Sequence, residues 1–498
     1  MKKLLPLLLL ILIGCSEPEP VDIESLNFRN EKHYPINSNR PYSGPTFALY
    51  DNGQIKEEAT YKNGKMKGPY KSYYENGKIQ YDGTMKDGQF SGAAKIFYYN
   101  GQIKEEATYK DDKSDGILKF YYENGQIESE GIYKDGKKNG LFKDYYESGQ
   151  FIGQTTYKND IAVGPFKAYY KNGQLEQEGN LKGGELHGLV KSYYENGQLE
   201  KEMIYKVGKR VGAAKVFYDN GQIQSEATYK DEKLDGLARF YYENGQIQEE
   251  ATYKDDKLDG ILKLFSDNGQ IESEGTYKDG KKNGIMKFYY DNGQIKEEAT
   301  YKNDKSDGLA RFYYENGQIK QEETYKNGKM KGPYKSYYEN GKIQYDGTMK
   351  DGTMKDEEFN GLFKDYYENG QLKKEMIYKN DKLDGLARSY YENGQIESEV
   401  TYKNDKLDGI LKGFYDNGQL NTEVTYKDDK KNGIAKLFYD NGQLKQEMIY
   451  KDDKLDGLYK TYYYNGQIES EVTYKDDELN GRWKKYNEKG QLENEGMF

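Results

Sequence analysis

The sequence predicts an all-β fold: an elongated antiparallel β-meander built as an array of about 19 β-hairpin units of about 24 residues each. The glycine of an Asn-Gly or Ser-Gly pair recurs at one constant interval, from Gly53 to Gly77 and onward to Gly341, and again from Gly370 to Gly466; Gly490, which follows Lys489, continues the interval. Strand-like runs flank each of these glycines, and the 54 tyrosines fall at fixed phases of the repeat. A fixed period of this length is typical of arrays whose units bury their apolar faces only by stacking on their neighbours.

One unit, residues 116–139, shows the pattern: GILKFYYENGQIESEGIYKDGKKN. We number its positions from the first glycine. Asn124-Gly125, at positions 9 and 10, separates two strand-like runs and predicts a hairpin with a two-residue type I′ turn. A second connection, rich in Asp, Asn, Lys and Gly, leads to the next unit. The chain should therefore form about 38 strands in a single meander.

The hairpin predicts its own register, because a two-residue loop makes the positions of cross-strand partners sum to 19. Position 7 would then face position 12, and position 4 would face position 15. Position 7 is Tyr in 17 of 19 units, and position 12 is Ile or Leu except at Phe151. Position 4 is Lys or Arg, and position 15 is Glu or Asp, in 18 of 19 units each. Such pairs contribute about 0.2–1 kcal/mol each.

Alternation along the strands assigns positions 3, 7, 12, 16 and 18 to a packing face, and positions 4, 6, 13 and 15 to a charged face. The charged face carries an aromatic stripe at position 6, which is a candidate binding surface for sugar rings or peptide segments. The alternative is that these rings pack along the sheet and shield its backbone. The stripe consists of Tyr73, Tyr121, Tyr145, Tyr169, Tyr193, Tyr241, Tyr289, Tyr313, Tyr337, Tyr366, Tyr390 and Tyr462.

The N-terminus has the features of a targeting segment. A basic start, Lys2-Lys3, precedes ten apolar residues, and the run ends in Leu12-Ile13-Gly14-Cys15. This ending resembles the lipobox of bacterial lipoprotein signal peptides. The resemblance implies a signal peptide over 1–14, a lipidated Cys15 with a flexible tether over 15–40, and the repeat array over 41–498. The alternative is an ordinary secretory signal with an incidental cysteine. By resemblance to the sorting of Gram-negative lipoproteins, Ser16 after the cysteine implies an outer-membrane location, facing the periplasm or the cell surface.

The unit G-x-x-K-x-Y-Y-E-N-G-Q-I-x-x-E-x-x-Y-K-D-x-K resembles the bacterial variant of the MORN repeat, found in proteins labelled the YwqK family of antitoxins. The resemblance covers nearly all of residues 41–498. It implies a single-layer, elongated antiparallel sheet, and a scaffold that binds other proteins or membranes. The expected function is a non-enzymatic, lipid-anchored envelope scaffold that binds a protein or a glycan. The alternative is an antitoxin or immunity-type protein that neutralises a partner toxin.

Composition and motifs argue against several other functions. The net charge of −10 disfavours a nucleic-acid partner. The only histidines, His33 and His187, stand alone, and no Cys/His cluster, nucleophile–base pair or phosphate loop is present. Aspartates in the loops resemble calcium ligands superficially, but turn chemistry explains them. We therefore expect no enzyme activity, metal, cofactor or small-molecule substrate.

Two features concern the ends and the history of the array. Trp483, the only tryptophan, falls at position 3 of the last unit, where it could cap the exposed end of the core; Pro41 and Pro45 would blunt the first strand. Residues 60–88 and 324–352 are identical, which indicates recent copying. A tandem duplication of Gly-Thr-Met-Lys-Asp at 347–356 accounts for the one longer interval of the array, between Gly341 and Gly370.

Overall fold

The computed structural model describes residues 18–352 and 359–498, which form strands and one short 3-10 helix. The predicted signal peptide and Cys15 lie outside the described residues. The chain divides into two compact units, which we call the first unit, 1–235 with 243–245, and the second unit, 236–242 with 246–498. No helix within the described ranges is long and apolar enough to cross a membrane.

The first unit contains the 3-10 helix, Ile23–Ser25, and strands β1 to β22. These strands are β1 Val21–Asp22, β2 Leu26–Arg29, β3 Lys32–Pro35, β4 Gly44–Leu49, β5 Ile55–Lys62, β6 Lys65–Tyr73, β7 Ile79–Lys86, β8 Gln89–Phe90, β9 Gly92–Phe97, β10 Ile103–Lys110, β11 Lys113–Ser114, β12 Gly116–Tyr121, β13 Ile127–Lys134, β14 Lys137–Tyr145, β15 Phe151–Lys158, β16 Ile161–Tyr169, β17 Leu175–Lys182, β18 Glu185–Leu186, β19 Gly188–Tyr193, β20 Leu199–Lys206, β21 Lys209–Phe217 and β22 Ile223–Lys230.

Strand β23, Lys233–Tyr241, contains the division, and the remaining strands belong to the second unit. They are β24 Ile247–Lys254, β25 Lys257–Phe265, β26 Ile271–Lys278, β27 Lys281–Tyr289, β28 Ile295–Lys302, β29 Lys305–Tyr313, β30 Ile319–Lys326, β31 Lys329–Tyr337, β32 Ile343–Gly352, β33 Gly361–Tyr366, β34 Leu372–Lys379, β35 Lys382–Leu383, β36 Gly385–Tyr390, β37 Ile396–Lys403, β38 Lys406–Leu407, β39 Gly409–Phe414, β40 Leu420–Lys427, β41 Lys430–Phe438, β42 Leu444–Lys451, β43 Lys454–Leu455, β44 Gly457–Tyr462, β45 Ile468–Lys475, β46 Glu478–Tyr486 and β47 Leu492–Met497.

Within each unit, successive repeat strands pair antiparallel with their neighbours in the chain, so the predicted all-β meander of hairpins is confirmed. The predicted pairing of position 4 with position 15 is also confirmed, as in Lys119 with Glu130 and Lys263 with Glu274. The pairing of position 7 with position 12 is wrong. Position 12 pairs instead with position 6, as in Ile127 with Tyr121, because a bulge shifts the register beside the turn.

The two-residue turn predicted at Asn-Gly is found instead at the other connection of the repeats. At the Asn-Gly turn only the glycine has a positive φ, +86° at Gly125, and Tyr122 hydrogen-bonds to both Gly125 and Gln126. This is a three-residue loop ending in a left-handed glycine, not a type I′ turn. The two-residue turn with two positive φ values is the other connection, for example Asp135 at 52° and Gly136 at 81°. Asp and Gly suit that geometry because they tolerate a left-handed backbone.

The buried face is formed by positions 1, 3 and 5 on one strand and 14, 16 and 18 on the next, because positions 3 and 16 are cross-strand partners. Position 3 supplies buried side chains such as Leu118 and Phe142, and position 16 supplies others such as Ala107 and Ala251. The prediction that positions 3, 16 and 18 face the core is thus right. The assignment of positions 7 and 12 to that face is wrong, because the bulge places position 7 in the turn and position 12 beside position 6.

Large and small side chains alternate where neighbouring strands meet on the buried face. Gly131 lies against Phe142, and a Cβ added to that glycine would sit 2.3 Å from the ring. Gly275 lies against Met286 in the same way. Burying a Phe or Met side chain stabilises the fold by about 1.5–3 kcal/mol, so glycine at position 16 makes room for a side chain that contributes more than the missing methyl group.

Side-chain hydrogen bonds link neighbouring repeats along both rows of turns, at the two ends of the strands. At one edge, the position-7 hydroxyl donates to the position-6 carbonyl of the following repeat, as from Tyr122 to Tyr145 at 2.9 Å. The position-9 amide of Asn124 donates to the Glu147 carbonyl at 2.8 Å. At the opposite edge, the Asp160 carboxylate accepts from the Lys138 backbone N–H at 2.8 Å. The recurring Tyr, Asn and Asp residues thus hold neighbouring repeats together.

The segment before the array is more ordered than the predicted tether. Strand β1 pairs in parallel with β4, and strands β2 and β3 form a hairpin. The His33 ring packs at 5.0 Å from the ring of Tyr61, which is 3% exposed, and the His33 N–H donates to the Gly64 carbonyl at 2.9 Å. Residues 21–35 therefore cover the first strands of the array, because their apolar and aromatic side chains find a core to pack against.

At the other end of the chain, Trp483 lies at position 3 on the packing face, as predicted. It occupies β46, the second strand from the end, between its cross-strand partners Val472 and Gly496. A Cβ on Gly496 would sit 2.7 Å from the indole Nε1, so the ring covers this glycine. The Phe498 ring lies 6.4 Å from Trp483. The indole therefore packs against Gly496 and Phe498 on the packing face, and the capping of the core by Trp483 stays a prediction.

Candidate binding face

The twelve tyrosines of the predicted stripe lie on the face opposite the core, but all of them are half-buried. Position 12 shares this face, because it pairs directly with position 6. The Phe151 ring, at position 12, lies 5.4 Å from Tyr145 and 5.1 Å from Tyr169. Around Phe151 the rings therefore pack along the sheet, which is the arrangement that the alternative interpretation of the stripe expects.

At least nine of these twelve tyrosines donate their hydroxyl group to the preceding repeat. Tyr121 donates to Glu106 at 2.8 Å, and Tyr313 donates to Glu298 at 2.9 Å. The acceptor is the position-15 glutamate in each case. The same bond is made by Tyr73, Tyr145, Tyr193, Tyr289, Tyr337, Tyr390 and Tyr462. The stripe is thus a structural element of the face as well as part of its surface.

The position-15 glutamates also bind the basic residues at position 4, which joins consecutive repeats through ion pairs. Arg311 lies 2.8 Å from Glu322 in its own hairpin and 3.0 Å from Glu298 in the preceding one. Arg388 repeats this arrangement with Glu399 and Glu375. We call this line of position-4 and position-15 side chains the charged ribbon. Exposed ion pairs contribute about 0–1 kcal/mol each, so the ribbon gives the face its charge pattern more than its stability.

The tyrosine hydroxyls and the position-15 carboxylates have pKa values that are shifted in opposite directions. Burial, reinforced by the bond to Glu106, raises the pKa of Tyr121 to about 12. The side-chain bonds from Lys95 and Tyr121 lower the pKa of Glu106 below its usual range. The bond from Arg311 lowers the pKa of Glu322, although partial burial opposes this effect. Tyrosine therefore stays neutral and glutamate stays ionised over a wide range of pH.

An exposed row of aliphatic side chains at position 2 runs beside the charged ribbon. Ile117 is 59% exposed and Ile261 is 54% exposed. In the first unit the row consists of Ile117, Leu141 and Leu189; in the second unit it consists of Leu237, Ile261, Ile285, Leu309, Leu362, Ile410, Ile434 and Leu458. We call these residues the aliphatic row. Their cross-strand partners at position 17 are mostly threonines, as in Ile261 with Thr276.

The aliphatic row and the charged ribbon line the same surface depression. In the first unit, a groove of about 550 Å³ is lined by Ile117 together with Lys95, Glu106 and Lys119. The groove forms where small residues such as Ala93 replace the larger position-2 side chains. The surface can therefore offer apolar contact and paired charges to one ligand.

Sequence reasoning did not single out the aliphatic row, although a signal for it was present. Position 2 alternates with the buried position 3, so its side chain must point to the opposite face. An aliphatic residue recurs there in most repeats. Metal binding finds no support: over 18–352 and 359–498, no group of three or more His, Cys, Asp or Glu side chains could hold an ion.

Comparison with known proteins gives one family match. The family model described as MORN repeat variant matches nineteen segments, which are 43–63, 66–87, 91–111, 114–135, 138–159, 162–182, 186–206, 210–231, 234–255, 258–279, 282–303, 306–327, 330–351, 359–380, 383–404, 407–428, 431–452, 455–476 and 479–498. No curated protein sequence gives a significant match.

Solved structures that match this chain include the crystal structures of TcdB2-TccC3 and TcdB2-TccC3-Cdc42, each 12% identical with a TM-score of 0.15. They match 91% and 90% of this chain and 27% of theirs. The Tc holotoxin pore of Photorhabdus luminescens is 10% identical over 89% of this chain and 26% of its own, with a TM-score of 0.14. This chain thus spans about a quarter of the length of those chains.

Proposed function

Because this chain belongs to the MORN repeat variant family, we propose that it is a non-enzymatic repeat scaffold that binds a partner protein through the aliphatic row and the charged ribbon. A lipid on Cys15 would hold it at the bacterial cell envelope. The observation that carries the binding proposal is the aliphatic row, whose side chains stay exposed in repeat after repeat. Exposed apolar surface that recurs in this way marks interaction sites in soluble proteins.

The chemistry of the face favours a protein over a glycan. Glycan binding would need ring faces and hydroxyl groups that are free to contact sugars, but the position-6 hydroxyls already donate to glutamates, as Tyr289 does to Glu274 at 2.9 Å. The aliphatic row offers contact to apolar side chains, and the flanking ion pairs can align a partner of complementary charge. A protein surface combines both kinds of group.

Repetition adds to the affinity of such a face. Consecutive repeats place equivalent side chains two strands apart, about 10 Å. A partner that contacts several repeats gains avidity without any single strong contact, because the second and later contacts form at high effective concentration. The proposed function therefore depends on the number of repeats engaged.

The binding proposal can be tested by capture of partners from a cell-envelope extract. The test variant replaces three members of the row, Ile261→Ser, Ile285→Ser and Leu309→Ser. We expect it to lose the proteins captured by the unmodified chain and to keep its β-sheet circular dichroism, because the three side chains are 54%, 52% and 38% exposed.

The matched control replaces three exposed lysines of the same repeats at the two-residue turns, Lys257→Ser, Lys281→Ser and Lys305→Ser. It should capture the same proteins as the unmodified chain. Unchanged capture by the row variant would contradict the proposal, and loss of capture by the lysine control alone would indicate binding through charge.

The lipid anchor rests on the resemblance of Leu12-Ile13-Gly14-Cys15 to a lipobox. Stable membrane attachment needs more than one acyl chain, which a lipoprotein N-terminus supplies. We expect Cys15→Ser to move the protein from the membrane fraction to the soluble fraction while partner capture in detergent stays unchanged. A Cys15→Ser protein that still sediments with membranes and resists extraction would contradict the anchor.

A further inference from the structure

One repeat of the second unit, residues 260–283, has a serine in place of the tyrosine that precedes the Asn-Gly turn. Position 7 is Ser266 there, and elsewhere it is tyrosine except at Asn487 in the last repeat. The turn itself is unchanged, because residues 267–271 and residues 291–295 of the following repeat both read DNGQI. The two turns therefore share one local sequence and differ in the residue that precedes it.

In most repeats the asparagine of this turn is held by two hydrogen bonds. At Asn292, the side-chain Oδ1 accepts from the Gln294 backbone N–H at 2.9 Å, and Nδ2 donates to the Glu315 carbonyl of the next repeat at 2.8 Å. An asparagine held in this way must break these bonds before its side chain can turn towards its own backbone. The bond to the next repeat is also made by Asn52, Asn76, Asn100, Asn124, Asn172, Asn196, Asn220, Asn316, Asn340, Asn369, Asn393, Asn417, Asn441 and Asn465.

Asn268, in the repeat with the serine, is held differently. Its Nδ2 donates instead to the Gln270 side-chain Oε1 at 3.3 Å, within the same turn. Its Oδ1 accepts from the Gln270 backbone N–H at 2.9 Å and also from the Ser266 hydroxyl at 2.7 Å. In the following repeat, the Tyr290 hydroxyl reaches across to the Tyr313 carbonyl, a span that the shorter serine side chain does not cover. The side-chain bonds of Asn268 thus stay within its own exposed turn.

An Asn-Gly pair can undergo an intramolecular reaction. The glycine backbone nitrogen attacks the asparagine Cγ and gives up its proton, the bond from Cγ to Nδ2 breaks, and ammonia leaves a five-membered succinimide. Water then opens the ring at either carbonyl and gives aspartate or isoaspartate. Glycine permits the close approach because it has no side chain. The rate therefore depends on how freely the asparagine side chain can reach the glycine nitrogen.

We propose that Asn268 is a deamidation site, which forms succinimide and then isoaspartate faster than the asparagines that are bonded to the following repeat. Its side chain has no bond to that repeat to break in the described structure. The Ser266 hydroxyl donates to Oδ1, where negative charge develops as the Gly269 nitrogen attacks, and donors placed at such an atom stabilise the transition state. The Gly269 and Gly293 N–H groups both donate within their own turns, so this bond does not distinguish the two sites.

The modification would change the joint between two repeats. Isoaspartate adds one methylene group to the backbone and one negative charge at the turn. On the charged face, Tyr289 still donates to Glu274 across the same joint at 2.9 Å. The sheet would therefore remain paired while the turn at Asn268 changes shape. This reaction is independent of the protein binding proposed above, because it takes place in the turn and not on the aliphatic row.

Peptide mass spectrometry on the full chain in detergent, incubated for several days at neutral pH, tests this proposal. Tryptic peptides 264–278 and 288–296 report the two sites separately. The restraint from one ordinary hydrogen bond corresponds to a factor of about threefold to tenfold, so we expect Asn268 to convert faster than Asn292 by about that factor. The two rates should become equal in urea, because the local sequence is the same. Equal rates in the folded chain would overturn the proposal.

Exchanging the two position-7 residues provides matched variants. Ser266→Tyr should lower the rate at Asn268 to that of Asn292, and Tyr290→Ser should raise the rate at Asn292 by about threefold to tenfold. Circular dichroism checks that each variant keeps its β-sheet. Ser266→Tyr restores the residue of the other repeats, so it decides the question even if Tyr290→Ser lowers stability. An unchanged rate at Asn268 in Ser266→Tyr would overturn the proposal.

Discussion

At the scale of single residues, the pairing of large and small side chains on the core face sets how closely neighbouring repeats approach. Gly131 has an ordinary backbone conformation and is glycine because the Phe142 ring occupies the space of its side chain. In the second unit the equivalent contact is made by Ala299 and Ala310, both of which are buried. The core therefore accepts either an aromatic ring that faces a glycine or two alanine methyl groups that face each other.

Gly131→Ala tests this complementarity. The added methyl group would lie 2.3 Å from the Phe142 ring, so we expect the free energy of unfolding to fall by about 1–3 kcal/mol, as for other overpacked cores. Adding Phe142→Ala should remove the clash and make the effect of Gly131→Ala small. Urea unfolding of the two single variants and the double variant measures this coupling, and additive effects would contradict the contact.

At the scale of the hairpin, much of the architecture could be predicted because periodicity and charge repeat so regularly. The pairing of Lys119 with Glu130 followed from the sequence because it lies far enough from the turn to be unaffected by the bulge. The position of Tyr122 did not follow, because Asn-Gly suits both a two-residue and a three-residue loop. Only the geometry shows that Gly125 alone has a positive φ.

The candidate site was predictable to a smaller extent. The sequence placed Tyr313 on the charged face correctly, but periodicity does not show that its hydroxyl bonds to Glu298 in the preceding repeat. That bond depends on the twist between strands, which sequence patterns do not encode. The exposed row at Ile261 was within reach of simple alternation, because position 2 follows from the buried position 3 beside it.

The bond between the position-7 tyrosine and the next repeat leads to a prediction at this scale. Tyr290→Phe removes the hydroxyl that donates to the Tyr313 carbonyl at 2.8 Å. We expect a loss of about 1 kcal/mol in the free energy of unfolding, as for other intramolecular hydrogen bonds. Tyr99→Phe is the control, because Tyr99 is 61% exposed in a turn. Equal stability of the two variants in urea would contradict a structural role for the bond.

At the scale of the whole molecule, the coupled tyrosines and glutamates predict unfolding at both ends of the pH range. Burial, followed by the bonds to glutamate, raises the pKa of Tyr121, Tyr289, Tyr313 and Tyr337 to about 12. The ordinary value in an unfolded chain is about 10. The stability linked to neutral tyrosine is thus fully present below pH ~10 and is lost as the pH rises towards ~12.

We therefore expect the loss of β-sheet circular dichroism between pH ~10 and ~12 to coincide with tyrosinate absorbance. In acid, stability depends on pH with the opposite sign, because it falls as the pH falls. The Lys95 and Tyr121 bonds lower the pKa of Glu106, so this contribution is present above pH ~4 and is lost as the pH falls through the depressed value. Tyrosinate absorbance that rises near pH ~10 with the sheet intact would contradict the coupling.

The ends of the array carry edge strands that the interior lacks, so truncation at an end should have a different effect on self-association from an internal deletion. Deleting 481–498 removes most of β46 and all of β47 and uncovers Val472, the partner of Trp483. We expect this variant to self-associate, because an unblunted edge strand with an apolar face is a template for pairing. Deleting one internal repeat, 284–307, should leave the protein monomeric by light scattering. If the internal deletion aggregates and the C-terminal deletion stays monomeric, the capping role of Trp483 is contradicted, and a role in binding would have to explain this residue. The elongated shape expected from the sequence stays a prediction.

The bond from Tyr122 to the Tyr145 carbonyl gives the contact between repeats a direction, with the donor always in the earlier repeat and the acceptor in the later one. Every repeat that makes this bond presents a donor to the repeat after it and an acceptor to the repeat before it, so any two can be joined in the same order. A gene that gains or loses one whole repeat therefore encodes a protein in which every junction is still complete. The length of this molecule is consequently a property that recombination can change one repeat at a time, without a new interface having to evolve.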